Sequence, residues 1–170
     1  IAVGTETVPG GTLMLEAVTA TAGNDGSSMI DNWGTLTITS GTYTGGLDVV
    51  KNEPGTTLTI SGGDFALTKG TSKGFTAVVF NYGDLTITGG TFTQSDKSAP
   101  YGQAQVIHTD KKGSVAPSTK IEGGTFKNLC TRSTAWTIRA TNAAAGCTAV
   151  SGGTFNKKVS DSYCAAGYIP

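Results

Sequence analysis

One phrase recurs five times along the chain, and it constrains the fold more than any other feature. Each copy is a short run of alternating aliphatic and polar residues, followed by a turn that ends in glycine and an aromatic residue two positions later. The copies are residues 36–43, 58–65, 85–92, 120–126 and 149–155. The closing aromatics fall at positions 43, 65, 92, 126 and 155, at intervals of 22, 27, 34 and 29 residues. These intervals suit the coils of a solenoid, because a propeller blade needs about 40 residues.

A second apolar stretch precedes each phrase. These stretches are residues 29–30, 49–50, 78–79, 106–107 and 137–138. Residues rich in Asn and Gly separate the two parts of each repeat, and both types tolerate the backbone of a sharp corner. One coil cannot cover its own apolar face, whereas coils stacked about 4.8 Å apart form parallel ladders around a shared core. The repeat therefore predicts an all-β fold, a parallel β-helix of about five coils.

The alternation within the phrases predicts which side chains line the core. In a strand, successive side chains point to opposite faces, so the aliphatic residues turn inward and the threonines outward. The predicted interior residues are Leu36, Ile38, Leu58, Ile60, Leu85, Ile87, Ile121 and Val150, with Tyr43, Phe65, Phe92, Phe126 and Phe155 forming an aromatic stack. Asn32, Asn52 and Asn81 align at one corner and predict a ladder of side-chain hydrogen bonds.

The organisation of the chain follows from the repeats. Nothing in the composition marks a second unit, so residues 1–170 are predicted to form a single domain. Residues 1–28 repeat the theme weakly and are predicted to be an atypical first turn or N-terminal cap. Residues 29–155 hold the coils, and residues 156–170 are predicted to cap the C-terminal end.

The phrases resemble the pectin-lyase-like right-handed parallel β-helix repeats of surface proteins from Gram-positive, often gut-dwelling, bacteria. The resemblance covers roughly residues 27–170, and the β-helices of phage fibres and appendages look similar. It implies a right-handed solenoid on the cell surface, outside the cell, or on the surface of a virion. The same scaffold carries enzymes, adhesins and passive stalks, so the resemblance does not specify the function.

Charge and hydropathy argue against two classes of partner. The chain has 12 basic and 12 acidic residues, so no net field attracts a polyanion, and no nucleic-acid partner is predicted. No apolar run approaches the length of about 20 residues that crosses a bilayer, so no membrane insertion is predicted.

Catalytic residues are not evident in the sequence. The Asp-Asp pair and the His and Arg-x-Lys motifs of polygalacturonase-like proteins do not occur in it. Asp31, Asp64 and Asp84 lie beside corners, where a short acidic side chain caps backbone amides. We therefore predict no enzyme, no catalytic residue, no metal site and no cofactor.

Two exposed corner aromatics are the candidate ligand-binding residues. Trp33 and Tyr82 occupy the same corner two coils apart, with Pro54 at the comparable point between them, and flat aromatic rings stack well against sugars. The sequence therefore predicts a carbohydrate-binding surface at Trp33 and Tyr82, with packing against the neighbouring turn as the alternative. His108 and Arg139 align in an outward column, which predicts a small basic patch. Its other members are Asp110, Lys111, Lys112 and Lys120, which lie nearby in the sequence.

Three cysteines lie in the C-terminal quarter, and their spacing does not suit zinc. Cys130 and Cys164 both follow a closing aromatic, so a Cys130–Cys164 disulfide is predicted. Cys147 stands ahead of the last strand and is a less natural partner. Three free thiols are the alternative.

The function predicted from these features is a non-enzymatic structural or adhesion module, displayed by a bacterial or phage extracellular assembly. The alternatives are a carbohydrate-binding adhesin, a polysaccharide lyase or hydrolase, and a self-assembling filament subunit. The predicted partners are accordingly glycans or a host surface, or further copies of the chain in a homo-oligomer or an end-to-end assembly.

Overall fold

The computed structural model describes residues 1–23, 26–70, 74–99 and 104–168, and these residues form short strands arranged in successive coils. The first three coils contain β1 (Ala2–Val3), β2 (Thr12–Leu15), β3 (Val18–Thr21), β4 (Ile30–Asn32), β5 (Thr35–Ile38), β6 (Gly41–Thr44), β7 (Val50–Asn52), β8 (Thr57–Ile60) and β9 (Asp64–Leu67). The next three coils contain β10 (Thr76–Asn81), β11 (Asp84–Ile87), β12 (Thr91–Gln94), β13 (Ala104–Asp110), β14 (Ser118–Ile121), β15 (Thr125–Asn128), β16 (Ile138–Thr141), β17 (Thr148–Val150) and β18 (Thr154–Phe155).

The strands form three parallel sheets of six strands each. The first strand of every coil belongs to sheet A, the second to sheet B and the third to sheet C, and each strand pairs in parallel with the equivalent strands of the coils before and after it. The predicted right-handed parallel β-helix is therefore confirmed. The described residues include one turn of 3-10 helix, Asp161–Tyr163, and no α-helix.

The solenoid has six coils, one more than the repeated phrase indicates. The N-terminal segment, predicted as an atypical first turn or cap, contributes a strand to each sheet. Ala2 pairs with Asp31, Leu13 with Leu36 and Ala20 with Tyr43. The first coil lacks the Gly-x-aromatic phrase because Ala20 stands where the other coils have an aromatic ring.

The side-chain parity predicted from the sequence is confirmed. All eight predicted aliphatic core residues are buried, and Ile60 and Ile87 are fully inaccessible. The five aromatics stack face to face along the axis of the solenoid, with ring centroids 4.8–5.0 Å apart and ring planes within 11° of parallel. This spacing equals the distance between neighbouring coils, so the ring stack and the backbone ladders reinforce the same register.

Sterics favour glycine at both positions of the glycine pair in the repeated phrase. At Gly89, a Cβ atom would lie 2.4 Å from the carbonyl oxygen of Ser61 in the preceding coil. At Gly90, the backbone has a φ of +103°, which disfavours residues with a side chain. The pair thus permits both the close approach of coils and the sharp turn between sheets B and C.

The predicted asparagine ladder is present at the corner between sheets A and B. The Nδ2 of Asn32 donates to the Oδ1 of Asn52 at 2.7 Å, and the Nδ2 of Asn52 donates to the Oδ1 of Asn81 at 2.8 Å. The ladder continues to the hydroxyl of Thr119, 2.9 Å from the Nδ2 of Asn81. All three asparagines are fully buried, so these bonds satisfy amide groups that water cannot reach.

The predicted Cys130–Cys164 disulfide is absent, and all three cysteines are free thiols. Cys130 is buried after β15, at the end of sheet C, with its sulfur near the carbonyl of Ala99. Cys164 instead lies next to β17, the last strand of sheet B, where it forms an isolated parallel bridge with Val150. The prediction was wrong because residues 156–163 carry the chain across the end of the solenoid, from one corner to another.

Replacing Asn52 by alanine is expected to destabilise the protein by about 2 kcal/mol, because the side chain makes four hydrogen bonds within the ladder and to the adjacent corner. Urea unfolding followed by circular dichroism measures this change. Thr37→Ala, on the outer face of sheet B, is the control and should cost well under half as much. Equal losses from the two substitutions would contradict the structural role of the ladder.

Candidate functional site

The outer faces of sheets A and B differ in chemistry. The outward positions of sheet B form a column of Met14, Thr37, Thr59, Thr86, Lys120 and Ala149. The equivalent column of sheet A contains Asp31, Lys51, Phe80, His108 and Arg139, in the register predicted from the sequence. Charged and aromatic side chains are therefore concentrated on sheet A, which is the candidate functional face.

The predicted ligand-binding residues lie at the edge of this face, with Glu53 between them. Because Asn32, Asn52 and Asn81 are in register, the residues that follow them, Trp33, Glu53 and Tyr82, form the next column. The prediction that Pro54 lies between the rings was wrong. The corner of the third coil is two residues longer than its neighbours, so Pro54 lies one position farther along the turn.

Glu53 forms the centre of a buried ionic cluster. Its carboxylate is fully inaccessible and forms ion pairs with two lysines, Lys51 and Lys112, the second at 3.0 Å. Burial disfavours the charged form of Lys51, but the hydrogen bond and charge attraction from Glu53 outweigh it and raise the pKa of Lys51. Loss of either lysine would leave a buried carboxylate with only one charged partner, which is costly.

Lys112 also covers the two aromatic rings. Its ammonium lies 5.4 Å from the centroid of the Trp33 ring and 5.6 Å from that of the Tyr82 ring, within range of cation–π attraction. Tyr82 stacks further on Phe80, with centroids 4.8 Å apart. Burial, with contributions from nearby carboxylates, raises the pKa of Tyr82 to about 12. Tyr82 is thus mainly a packing residue, and the two rings do not form an open platform together.

Trp33 is half-buried, like Tyr82, but it lies beside an open depression. It borders a depression of about 430 Å³, together with Pro9, Pro54 and the glycines of the adjoining turns. Its indole Nε1 donates to the carboxylate of Asp31 at 3.1 Å, which fixes the orientation of the ring. A ring held in place beside an open depression suits stacking against a flat apolar ligand surface, such as one face of a sugar.

Asp48 is a buried acid behind the same face. Burial has the largest effect and raises its pKa to about 7, although the backbone N–H of Ala77 and the hydroxyl of Ser28 both donate to its carboxylate. Asp48 is only 3% exposed, so it does not contact solvent in the depression beside Trp33.

The column of sheet A continues as a chain of ring contacts. Phe80 stacks on the imidazole of His108 at 4.5 Å, and Phe75 packs edge-on against the same imidazole at 4.9 Å. His108 is fully buried, and its Nε2 lies 2.8 Å from the hydroxyl of Thr141. Burial lowers the pKa of His108 to about 4, so the ring is neutral at pH 7.

Sequence reasoning missed two aromatic residues at the C-terminal end of this chain of contacts. The guanidinium of Arg139 lies 4.2 Å from the ring centroid of Phe75 and 4.8 Å from that of Trp136. Trp136 is 44% exposed, which is more than Phe75 at 37% or Phe80 at 6%. The available signal for Trp136 was its position two residues before the first strand of the last coil and three residues ahead of Arg139.

The predicted basic patch is not assembled. Lys120 lies on sheet B, Lys112 is folded onto Glu53, and His108 is buried and neutral. Arg139 alone among these residues keeps its charge on the outer face of sheet A. Sheet A instead carries an unbroken series of ring–ring and cation–ring contacts, which we call the sheet A band. Its members, in order of contact, are Trp33, Lys112, Tyr82, Phe80, His108, Phe75, Arg139 and Trp136.

No protein-family model, curated protein or solved structure matches the chain. The resemblance of its repeats to pectin-lyase-like surface proteins therefore remains a prediction. Within the described ranges, no cluster of three or more His, Cys, Asp and Glu side chains is arranged to hold a metal ion. The same part of the chain has no helix long and apolar enough to cross a membrane.

Asp48 and His108 are expected to give opposing pH dependences of stability. The folded-state pKa of Asp48 is raised, so its contribution to stability is full below about pH 4 and is lost as pH rises to about 7. The folded-state pKa of His108 is lowered, so its contribution is full above about pH 6.5 and is lost as pH falls to about 4. The effect amounts to about 4 kcal/mol for Asp48 and about 3 kcal/mol for His108, and the two partly cancel between pH 4 and 6.5.

Single variants should separate these two effects. In Asp48→Asn the free energy of unfolding is expected to fall as pH decreases from 6.5 to 4, since only His108 still titrates. In His108→Gln it is expected to fall as pH rises from 4 to 7. Urea titrations at pH 4.5, 6 and 8 measure both slopes, and equal slopes in the two variants would show that these groups do not control the pH dependence.

Proposed function

We propose that the chain is a non-enzymatic, surface-displayed module of a bacterial or phage extracellular assembly, and that it combines a structural with an adhesive role. Its proposed adhesive surface is the outer face of sheet A, and its proposed ligands are glycans. The solenoid supplies a rigid support, because every coil is hydrogen-bonded to its neighbours in all three sheets.

The confinement of the sheet A band to one face is the observation that carries this proposal. Phe80 and His108 in the middle of the band are 6% and 0% exposed, so they support this face from within, and the rings that reach solvent lie toward its ends. Trp33 and Trp136 lie at the two ends of the band, in the second coil and beside the sixth. A polysaccharide chain laid along the axis of the solenoid would meet both residues.

The burial of carboxylates favours binding over hydrolysis. Glycoside hydrolysis requires two carboxyl groups that reach the scissile bond from opposite sides. Asp31, the carboxylate hydrogen-bonded to the Trp33 indole, is half-buried, whereas the next two, Asp48 and Glu53, are 3% and 0% exposed. Neither can approach a sugar in the depression beside Trp33 without rearrangement of the corner.

A glycan array probed with the purified protein tests the proposal. Trp33→Ala is expected to lower binding at least tenfold, because it removes the ring beside the depression, while the melting temperature changes little. Met14→Ala is the matched control, since Met14 is 62% exposed on the outer face of sheet B. It should bind like the unaltered protein.

Two results would contradict the proposal. The first is glycan binding that survives Trp33→Ala and Trp136→Ala together, which would place the adhesive surface elsewhere. The second is the absence of binding to any glycan combined with a large oligomer in solution, which would favour the filament subunit. Measurement of the solution mass by light scattering accompanies the array for this reason.

A further inference from the structure

The charges of this neutral chain are separated along the axis of the solenoid. Residues 1–50 contain five acidic residues and no basic residue: Glu6, Glu16, Asp25, Asp31 and Asp48. Residues 129–170 contain four basic residues and one acidic residue: Arg132, Arg139, Lys157, Lys158 and Asp161. Since the coils stack in chain order, the C-terminal end of the molecule is positively charged.

All four of these cations line one cleft. The cleft has a volume of about 1030 Å³ and lies between the last strand of sheet A and the C-terminal segment that crosses the end of the solenoid. Trp136 and Tyr163 contribute aromatic walls. Asp161 is the one carboxylate among the described lining residues, and it lies 3.7 Å from Lys158 at the exposed rim. The cleft therefore has an excess of positive charge, which favours anions.

The cations inside the cleft are held in place without being neutralised. The Nζ of Lys157 donates to the carbonyl oxygens of Cys130 and Ala135 at 2.6 and 2.9 Å. The Nε of Arg132 donates to the carbonyl oxygen of Ala99 at 3.0 Å. Carbonyl oxygens fix the positions of these side chains but carry no net negative charge. Ligand binding therefore costs little conformational entropy of these side chains, because they are already held in place.

Arg139 is ordered by different contacts. Its guanidinium carbon lies 4.2 Å from the ring centroid of Phe75 and 4.8 Å from that of Trp136, within range of cation–π attraction. A guanidinium carries N–H groups along its edge. The edge N–H groups suit bidentate bonds to a carboxylate or a sulfate. Because Trp136 is 44% exposed, a sugar ring can contact it while a charged substituent bonds to Arg139.

We propose that this C-terminal cleft binds an acidic polysaccharide, through a carboxylate or sulfate group that pairs with Arg139 and the surrounding lysines. This inference rests on the proposed function for the class of ligand, and it adds a site and a charge requirement that Trp33 and Tyr82 do not supply. The shared chemistry is an anionic substituent on a sugar chain. Carboxylated and sulfated chains are distinguished by experiment.

The test uses three probes with the same backbone: dextran, carboxymethyl dextran and dextran sulfate. Binding to the full chain is measured by calorimetry at 50 and 300 mM salt. We expect no binding to dextran, binding to at least one of the anionic forms, and weaker binding at the higher salt concentration, because salt screens the attraction. Polyadenylate is the fourth probe, and tighter binding to it than to either anionic dextran would overturn the proposal in favour of a nucleic-acid site.

Two variants locate the site. Arg139→Gln is expected to weaken binding to the anionic dextran about tenfold by removing a charge-assisted bidentate contact. Lys158→Gln should weaken it by a smaller factor, and since Lys158 is 79% exposed, this change leaves the fold intact. Lys120→Gln, on the outer face of sheet B, removes the same charge away from the cleft and is expected to leave binding unchanged.

The outcomes separate this inference from the proposed function. Anionic dextran binding that is unchanged in both cleft variants, or equally weakened by Lys120→Gln, overturns the cleft as the site. Glycan binding that depends on Trp33 but not on salt or Arg139 overturns this inference and leaves the proposed function standing. Binding to anionic dextran through the cleft, with no effect of Trp33→Ala on any glycan, supports this inference and overturns the role proposed for Trp33.

Discussion

The in-register stacking of coils is the constraint on which the rest of the structure depends. Each of the first four coils contributes one aliphatic pair to the inner wall of sheet B, and the last two coils contribute a threonine and an aliphatic residue there. From the second coil onward, each coil also adds one ring to the central stack, at the spacing of the backbone ladders. A slip of one residue in any strand would turn its apolar side chains outward. The buried asparagine ladder adds a polar requirement to the same register, because an amide that misses its partner remains unsatisfied.

The binding face follows from the connections that are free to vary. The turns between sheets B and C are tight, and the corner between sheets A and B is short only in the second to fourth coils, which carry the asparagine ladder. The connections from sheet C back to sheet A are long and differ between coils, and they place Phe75 and Trp136 against the outer face of sheet A. Loops on a rigid scaffold commonly carry the binding residues, and this solenoid concentrates them on one side.

The regular parts of the molecule could be predicted from the sequence because they depend on local periodicity. The parity of Leu85 and Ile87, the aromatic stack and the asparagine ladder all follow from residue spacing within the repeated phrase. The candidate site was predicted only in part, since the phrase does not reveal how far a loop side chain reaches. Lys112 extends from the fifth coil to Glu53 in the third, and residues 156–163 move Cys164 away from Cys130. Both arrangements depend on loop paths that no short pattern specifies.

The parity of β11 provides the most direct test of this account. Ile87 is fully buried in the core, and its neighbour Thr86 lies on the outer face of sheet B, so Ile87→Asp places an unpaired carboxylate in the core and Thr86→Asp places one in solvent. Thermal unfolding followed by circular dichroism is expected to show a cooperative β-sheet transition for Thr86→Asp and none for Ile87→Asp. Equal damage from the two substitutions would contradict the stacked-coil register and the assignment of every face that follows from it.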